Sequence, residues 1–157
     1  MTQRSVTHAT FAVERTYDAP PPTVFAAWSD QEAKAEWFAG PAAKSNGDYE
    51  LDFRVGGREV NRGGPEGGPV FTYDARFHDI VQDERIVYAY DMYMGDTRIS
   101  VSIGTVELAP AGDGTRLLYT ETGAFLDGHD RPEQRQDGTG RLLDALGAVL
   151  AGHRARA

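Results

Sequence analysis

The chain has 157 residues, of which 40% are hydrophobic and 25% charged, and this composition suits one folded domain with its own core. A formal net charge of −8 argues against binding to nucleic-acid phosphates or to anionic membrane surfaces. The absence of cysteine excludes disulfides, thiolate nucleophiles and cysteine-bound metals.

One strand and one short helix are predicted at the start of the chain. Residues 10–17 alternate in part between apolar and polar side chains, which is typical of a strand. Residues 20–22 are prolines, and proline is tolerated in the first turn of a helix, where its missing N–H would be unpaired anyway. We therefore predict a helix at 23–28, with Phe25 and Trp28 on one face.

A second short helix is predicted directly after the first. Ser29 and Glu32 have the spacing of a capping box, in which two side chains reciprocally satisfy backbone N–H groups, so we expect this helix to begin at Ser29. The helix would present Trp37 and Phe38 at its end. The Gly-Pro pair at 40–41 would stop it.

The rest of the chain first alternates with a period of two and then changes to helical spacing. Further strands are predicted at 49–53, 58–62, 71–78, 86–94, 98–108 and 115–122. A long helix is predicted from Pro132 or Glu133 to about His153, with leucines spaced along one face. Because one helix cannot cover so many strands when they lie flat, the sheet must curl around it, and the space between them can hold a ligand.

Four segments carry a resemblance to a known family. They are A-P-P-P-T-V-F-A-A-W at 19–28, F-R-V-G-G-R at 53–58, D-G-T-R-L at 113–117, and D-G-T-G at 137–140 followed by L-L-D-A-L. In this order they resemble the START-like (SRPBCC) superfamily. More narrowly, they resemble the domain named after the activator of heat-shock-protein-90 ATPase, in its bacterial stand-alone form.

The resemblance implies an α+β helix-grip fold, in which a curved antiparallel sheet of six or seven strands surrounds a long C-terminal helix and two short helices follow the first strand. We expect a single START-like domain at 8–153, with flexible termini at 1–7 and 154–157. The family often has an aromatic residue where Thr139 stands here, so the smaller side chain would either enlarge the cavity or alter its packing.

Aromatic side chains and methionine on the expected inward faces favour a cavity for a small apolar molecule, because they supply large apolar area with a few polar tips. The alternative for each of them is ordinary core packing. The candidate ligand-binding residues of this kind are Trp28, Trp37, Phe38, Phe53, Tyr73, Phe77, Tyr88, Tyr90, Met92 and Tyr119.

Glu121 is the candidate catalytic residue and a further candidate ligand-binding residue. It shares a strand face with Tyr119, and a carboxyl group that points into a partly apolar cavity can act as a general acid or base. The alternative is a structural ion pair. Arg135 is the expected partner, and a candidate ligand-binding residue itself, because it begins the long helix close to the end of that strand; Arg98 and Arg141 are the other possible partners.

Two serines are further candidates for polar contacts in the cavity. Ser100 and Ser102 alternate with Ile99, Val101 and Ile103 along one strand. If the three apolar side chains face inward, both serines lie on the solvent face, and this is the arrangement that we predict.

No metal or cofactor is expected. The segment at 127–130 (Asp-Gly-His-Asp) offers two carboxylates and one imidazole, but there is no second histidine cluster, and a solvated loop explains it better. The glycine pairs at 56–57, 63–64 and 67–68 lack the lysine of a phosphate-binding loop and are explained by turns.

Three functions remain open. The first is binding of a small hydrophobic or aromatic molecule, which predicts a largely apolar cavity. The second is a cyclase or dehydratase that uses Glu121 as its base. The third is a chaperone-activator-like interaction domain, which predicts a filled interior and an exposed apolar patch. We rank binding first, with no nucleic-acid or membrane partner and with a homodimer left open. Since the first ten residues lack the apolar stretch of a signal peptide, we expect a cytoplasmic protein.

Overall fold

The fold is built on a seven-stranded antiparallel sheet with the strand order β1-β7-β6-β5-β4-β3-β2. The computed structural model describes residues 3–39 and 48–156. The strands are β1 (Val6–Tyr17), β2 (Tyr49–Leu51), β3 (Arg58–Gly63), β4 (Phe71–Val81), β5 (Arg85–Met94), β6 (Thr97–Ala111) and β7 (Gly114–Leu126). The helices in the described residues are α1 (Pro21–Ser29), α2 (Gln31–Trp37) and α3 (Pro132–Arg156). This architecture confirms the expected α+β helix-grip fold.

Chain order and strand order agree from β2 to β7, because each of these strands pairs with the next one along the chain. Gly95 and Gly112, in the turns before β6 and β7, both have a φ of 59°, a left-handed conformation that glycine adopts without steric cost. The exception is β1, which pairs with β7 along its whole length, so that Phe11 lies opposite Glu121. This pairing places the first and last strands of the chain side by side at one edge of the sheet.

The two short helices differ slightly from the prediction. Proline at the first turn starts α1 at Pro21, two residues before the expected position. The expected capping box at Ser29 is wrong, because Ser29 is the last residue of α1. Asp30 caps α2 instead, and its carboxylate accepts a hydrogen bond of 2.9 Å from the backbone N–H of Ala33. The expected stop at 40–41 lies outside the described residues.

The long helix α3 packs its apolar face on the concave side of the sheet. Leu143, Leu146 and Leu150 recur at helical spacing and are buried. Two glycines allow the close approach to β1, since a Cβ atom on Gly140 would lie 3.1 Å from the Arg15 guanidinium and one on Gly147 would lie 3.2 Å from the Tyr17 ring. The division into a domain at 8–153 with flexible ends stays a prediction, although β1 begins at Val6.

Two other boundaries differ from the sequence-based expectation. The strand predicted at 49–53 ends at Leu51, so that Phe53 lies in the bend before β3. The first strand is four residues longer at its N-terminal end than the expected 10–17, because its partner β7 continues to Leu126. Within the described residues, none of the helices is both long enough and apolar enough to cross a bilayer.

Candidate ligand-binding site

A cavity of about 320 Å³ lies between the concave face of the sheet and the first half of α3. Helices α1 and α2, strands β3, β4, β5 and β7, the loop residue Asp130 and helix α3 all contribute to its wall. The lining residues are Trp28, Trp37, Phe38, Asn61, Tyr73, Tyr88, Tyr90, Met92, Tyr119, Asp130, Gln134, Arg135, Gly138, Thr139, Leu142 and Leu143. Gln134 is exposed and also lines the cavity, so the cavity reaches the surface beside the first turn of α3.

One wall is a continuous run of aromatic rings. The ring of Trp28 lies 4.8 Å from that of Trp37 at a steep angle, and Trp37 contacts Phe38 at 5.8 Å. Phe38 then contacts Tyr73 on β4 at 5.0 Å, and Tyr73 lies 4.7 Å from Tyr90 on β5. Such edge-on and tilted contacts fix the rings relative to one another, which makes this wall rigid and apolar.

The opposite wall is one face of α3. Its five lining positions follow the spacing i, i+3, i+4, i+7, i+8 and therefore lie on one side of the helix: Arg135, Gly138, Thr139, Leu142 and Leu143. A Cβ atom added to Gly138 would meet no atom within 4 Å. Thr139 also lines the cavity, at the position where the family that the sequence resembles often has an aromatic residue. Gly138 and Thr139, both small, leave room there.

Glu121 is buried behind the cavity wall, and three residues donate hydrogen bonds to its carboxylate. Its carboxylate accepts hydrogen bonds from Tyr119 at 2.7 Å and from Tyr90 at 2.8 and 2.9 Å. Arg135 lies 3.2 Å from Oε2 and also donates to the Tyr90 hydroxyl at 2.7 Å. The predicted ion pair between Glu121 and Arg135 is therefore present, and its geometry satisfies the buried charges on both sides.

Arg135 has further partners that hold it in place. Its Nη2 donates to Ser100 and to Asp130, each at 2.7 Å. Its guanidinium lies over the rings of Tyr90 and Phe125, at 5.6 and 5.1 Å. Burial lowers the pKa of Arg135, but Tyr90, Glu121 and Asp130 together raise it by more, so the pKa lies above its usual range. Arg135 therefore remains a cation at any pH at which the protein is folded.

Four tyrosines form a cluster around this ion pair, here called the tyrosine cluster: Tyr73, Tyr88, Tyr90 and Tyr119. Burial raises the pKa of each phenol well above its usual range, since a phenolate would lose its hydration. The neighbouring Glu121 carboxylate raises the pKa of Tyr88, Tyr90 and Tyr119 further. The tyrosine cluster is therefore neutral, and its hydroxyls act as hydrogen-bond donors and acceptors.

The placement predicted for Ser100 and Ser102 is wrong. Both are buried, at 0% and 2% exposure, whereas Val101 and Ile103 are 41% and 53% exposed. A β-bulge causes the change: Met92 of β5 pairs with Ser100, but the next residue pairs with Arg98, which leaves one extra residue on β6. The bulge turns Ile99 and Ser100 to the same side and reverses the alternation that follows.

The structure brings nine of the twelve candidate ligand-binding residues to the cavity: Trp28, Trp37, Phe38, Tyr73, Tyr88, Tyr90, Met92, Tyr119 and Arg135. Phe53 and Phe77 are not among the described lining residues, and they pack on each other at 5.0 Å in the adjoining core. Glu121 lies behind the wall. Sequence reasoning missed Asn61 and Gln134; Asn61 lies in a short strand whose sequence shows no clear apolar alternation, so no signal marked it.

A second buried ion pair lies behind the aromatic wall, and sequence reasoning missed it. Lys34 of α2 donates to Glu59 of β3 at 2.8 Å, and Tyr49 donates to the same carboxylate at 2.6 Å. The Lys34 ammonium lies 5.0 Å from the Trp28 ring and 4.5 Å from the Phe38 ring. Burial lowers the pKa of Lys34, and the Glu59 charge opposes that effect. This pair ties α2, and with it one side of the cavity, to the sheet.

The comparisons with known proteins place the chain in a family. A model of the family described as "Activator of Hsp90 ATPase homolog 1-like protein" matches residues 18–151, which is most of the chain. The chain belongs to this family. The expected resemblance to the START-like superfamily is thereby confirmed. A search of curated proteins found no match.

Solved structures of similar proteins share the fold. The Mll3558 protein from Rhizobium loti is 49% identical, with 92% of this chain and 99% of that one covered and a TM-score of 0.86. An uncharacterised protein from Rhizobium leguminosarum is 45% identical, with 96% and 99% covered and a TM-score of 0.90. Protein CV1439 from Chromobacterium violaceum is 26% identical, with 90% and 96% covered and a TM-score of 0.71.

Two of the four segments that carried the family resemblance contribute directly to the cavity. The segment at 19–28 forms α1 and ends on Trp28 of the aromatic wall. The segment at 137–140 lies in α3 and supplies Gly138 and Thr139.

In the described residues, no group of histidine and carboxylate side chains could hold a metal ion. Asp127, one of the two carboxylates in the segment at 127–130, instead accepts a hydrogen bond of 2.9 Å from the Ser5 backbone N–H.

Proposed function

We propose that this chain binds one small, largely apolar aromatic molecule in the cavity between the sheet and α3. The observation that carries the proposal is the cavity itself, whose volume of about 320 Å³ and aromatic wall match the size and chemistry of small-molecule sites. Rigid rings on one side and small residues on α3 leave a flat space between them. A planar aromatic molecule fills such a space with good contact on both faces.

The two alternatives have less support. A base must reach its substrate, yet Glu121 is 1% exposed, and its oxygens already accept hydrogen bonds from two phenols and a guanidinium. A chaperone-activator-like domain was expected to have a filled interior, whereas the cavity is roomy enough for a ligand. The ion pair of Glu121 and Arg135 is better explained by a structural role, because it holds the start of α3 on β7 of the sheet.

The binding proposal can be tested with the neutral fluorophore N-phenylnaphthylamine. Both tryptophans of the chain, Trp28 and Trp37, line the cavity, so a ligand there changes their emission. We expect saturable binding of one probe per chain, with quenching of tryptophan fluorescence. Native mass spectrometry of protein purified from its own host, followed by denaturing extraction, then identifies any molecule that occupies the cavity in the cell.

A variant that fills the cavity is the decisive control. In Gly138→Phe, the new ring enters open space at the α3 wall and should abolish probe binding without unfolding the protein. Gly138→Ala is the matched control, because it also replaces the helical glycine but adds only one carbon to the cavity wall. If Gly138→Phe folds and still binds the probe as tightly as Gly138→Ala, the probe lies elsewhere and the proposal is refuted.

A further inference from the structure

Three polar atoms that belong to cavity-lining residues have no hydrogen-bond partner. They are Nε1 of Trp28, Oδ1 of Asn61 and the hydroxyl of Tyr73, and each is buried. Trp28 is 4% exposed and Tyr73 is 7% exposed, so bulk water does not satisfy them. Buried polar groups without partners are rare in proteins because each costs free energy. Their concentration at one cavity points to a ligand that supplies the missing partners.

The three residues lie at one end of the cavity. Asn61 on β3 is the direct cross-strand neighbour of Tyr73 on β4, so their side chains leave the sheet side by side. Phe38 connects them to Trp28: its backbone carbonyl accepts a hydrogen bond of 3.5 Å from Asn61, its ring contacts Tyr73, and Trp37 lies between it and Trp28. We call Trp28, Asn61 and Tyr73 the polar end of the cavity.

The chemistry of these atoms restricts what can bind. The indole N–H of Trp28 only donates and the amide oxygen of Asn61 only accepts, whereas the hydroxyl of Tyr73 does either. A partner must therefore offer at least one acceptor and one donor. A hydrocarbon would leave all three atoms unsatisfied, and a site of that kind discriminates strongly against ligands that lack the matching groups.

Charge restricts the ligand further. Among the described residues that line the cavity, Arg135 is the single cation, and it is paired with the two carboxylates of Glu121 and Asp130. Lys34, behind the aromatic wall, is paired with Glu59. Among the described residues of the cavity and its aromatic wall, no cation is therefore left to balance an anionic ligand, whose transfer out of water would be costly.

We infer that the polar end of the cavity recognises a neutral aromatic molecule that carries a hydrogen-bond acceptor and a donor on the same edge, as a lactam or a hydroxyaryl ketone does. This inference rests on the proposed function and specifies its ligand class. The carbonyl oxygen of such a ligand accepts from Trp28 and Tyr73, and its N–H or O–H donates to Asn61. The rest of the ring system lies along the aromatic wall.

Three probes of similar shape test the inference by displacement of N-phenylnaphthylamine. Carbostyril is a planar lactam with adjacent carbonyl and N–H groups, methylnaphthalene has a methyl group in place of the carbonyl, and naphthoate is an anion. We expect carbostyril to bind about tenfold more tightly than methylnaphthalene, since it makes three hydrogen bonds that methylnaphthalene cannot make but gives up its hydrogen bonds to water, and naphthoate to bind most weakly. If carbostyril and methylnaphthalene bind equally, water satisfies the three atoms and the inference fails, although the proposed function survives. If no probe binds, the proposed function fails as well.

The variant Tyr73→Phe separates ligand recognition from a structural role. It removes only the unpartnered hydroxyl, so the empty protein should be as stable as before or more stable. Its affinity for carbostyril should fall by about fivefold, while its affinity for methylnaphthalene stays the same. Tyr17→Phe is the matched control, because its buried hydroxyl donates to the backbone carbonyl of Leu143 at 2.7 Å and Tyr17 is not a lining residue, so this variant should lose stability and keep the preference for carbostyril. Equal loss of affinity for both probes in Tyr73→Phe would overturn the inference.

Discussion

The buried ion pair of Lys34 and Glu59 gives the sharpest test of how the cavity is held together. The side chains are 2% and 0% exposed and the two charged atoms lie 2.8 Å apart. Removing one partner leaves an uncompensated buried charge, and losses of about 3–5 kcal/mol are typical in such cases. Against a total stability of about 5–15 kcal/mol, Lys34→Met should therefore lower the melting temperature by roughly 6–20 °C.

The double variant Lys34→Met/Glu59→Gln should recover most of that loss. Methionine fills the same space against Trp28 and Phe38, and the glutamine oxygen can still accept the hydrogen bond from Tyr49. Urea unfolding, followed by tryptophan fluorescence and circular dichroism, gives the free energies for a double-mutant cycle. If each single variant costs less than about 1 kcal/mol and the two losses add, the pair contributes no coupling and the reasoning is wrong.

An exposed ion pair provides the control for that experiment. Arg58 and Asp74 make two hydrogen bonds of 2.9 Å across β3 and β4, but their side chains are 47% and 31% exposed. Solvent screens such a pair, so Arg58→Met should cost no more than about 1 kcal/mol. A loss as large as that of Lys34→Met would mean that burial is not what makes the inner pair important.

Three further predictions concern the site and the sheet. Gly104→Ala should lower stability by about 1–3 kcal/mol in thermal unfolding, because its Cβ atom would lie 2.6 Å from the ring of Tyr88 and 2.9 Å from the hydroxyl of Tyr119; an unchanged melting temperature would contradict this packing. Ser100→Ala should cost about 1.5 kcal/mol by removing an acceptor from Arg135, whereas an effect below about 0.5 kcal/mol would mean that the serine is exposed. The folded-state pKa of each phenol in the tyrosine cluster lies above its unfolded value. The stability that each phenol contributes is therefore present below about pH 10 and falls as pH rises beyond it, by up to about 1.4 kcal/mol per pH unit and tyrosine. Tyrosinate absorbance should appear together with unfolding, and ionisation before unfolding would refute the assignment.

Local patterns predicted those parts of the cavity that depend on one element alone. Strict alternation in β4, β5 and β7 places Tyr73, Tyr90 and Tyr119 on the inner face, and the alternation is visible in the sequence because each strand is continuous there. Helical spacing likewise places Leu142 and Leu143 on the inner side of α3. In each case one period, read over a few residues, determines the direction of the side chain.

The parts that sequence reasoning missed depend on contacts between distant segments. The bulge at Ile99 exists because of its pairing with β5, and nothing within β6 announces that Ser100 turns inward. Lys34 is buried although it lies in a polar helix, because its partner Glu59 is on another strand, 25 residues away in the chain. Asn61 becomes part of the cavity only when β3 pairs with β4. Register and long-range pairing, rather than local propensity, decide these positions.

The polar groups around the cavity fall into two classes with opposite expected behaviour. The first class has its hydrogen-bond and ion-pair partners within the protein and comprises Glu121, Arg135, Lys34 and Glu59. These groups stabilise the fold, and removing one of them leaves its partner buried and unpaired. Those of the polar end lack partners, so they reduce the stability of the empty protein and gain value only when a ligand pairs with them. Evolution under stability alone would replace Tyr73 with phenylalanine, since the ring would keep its contacts and lose only an unsatisfied hydroxyl. The presence of the hydroxyl is therefore best explained by a function that needs it, and the opposite responses expected of Tyr73→Phe and Tyr17→Phe follow from this difference.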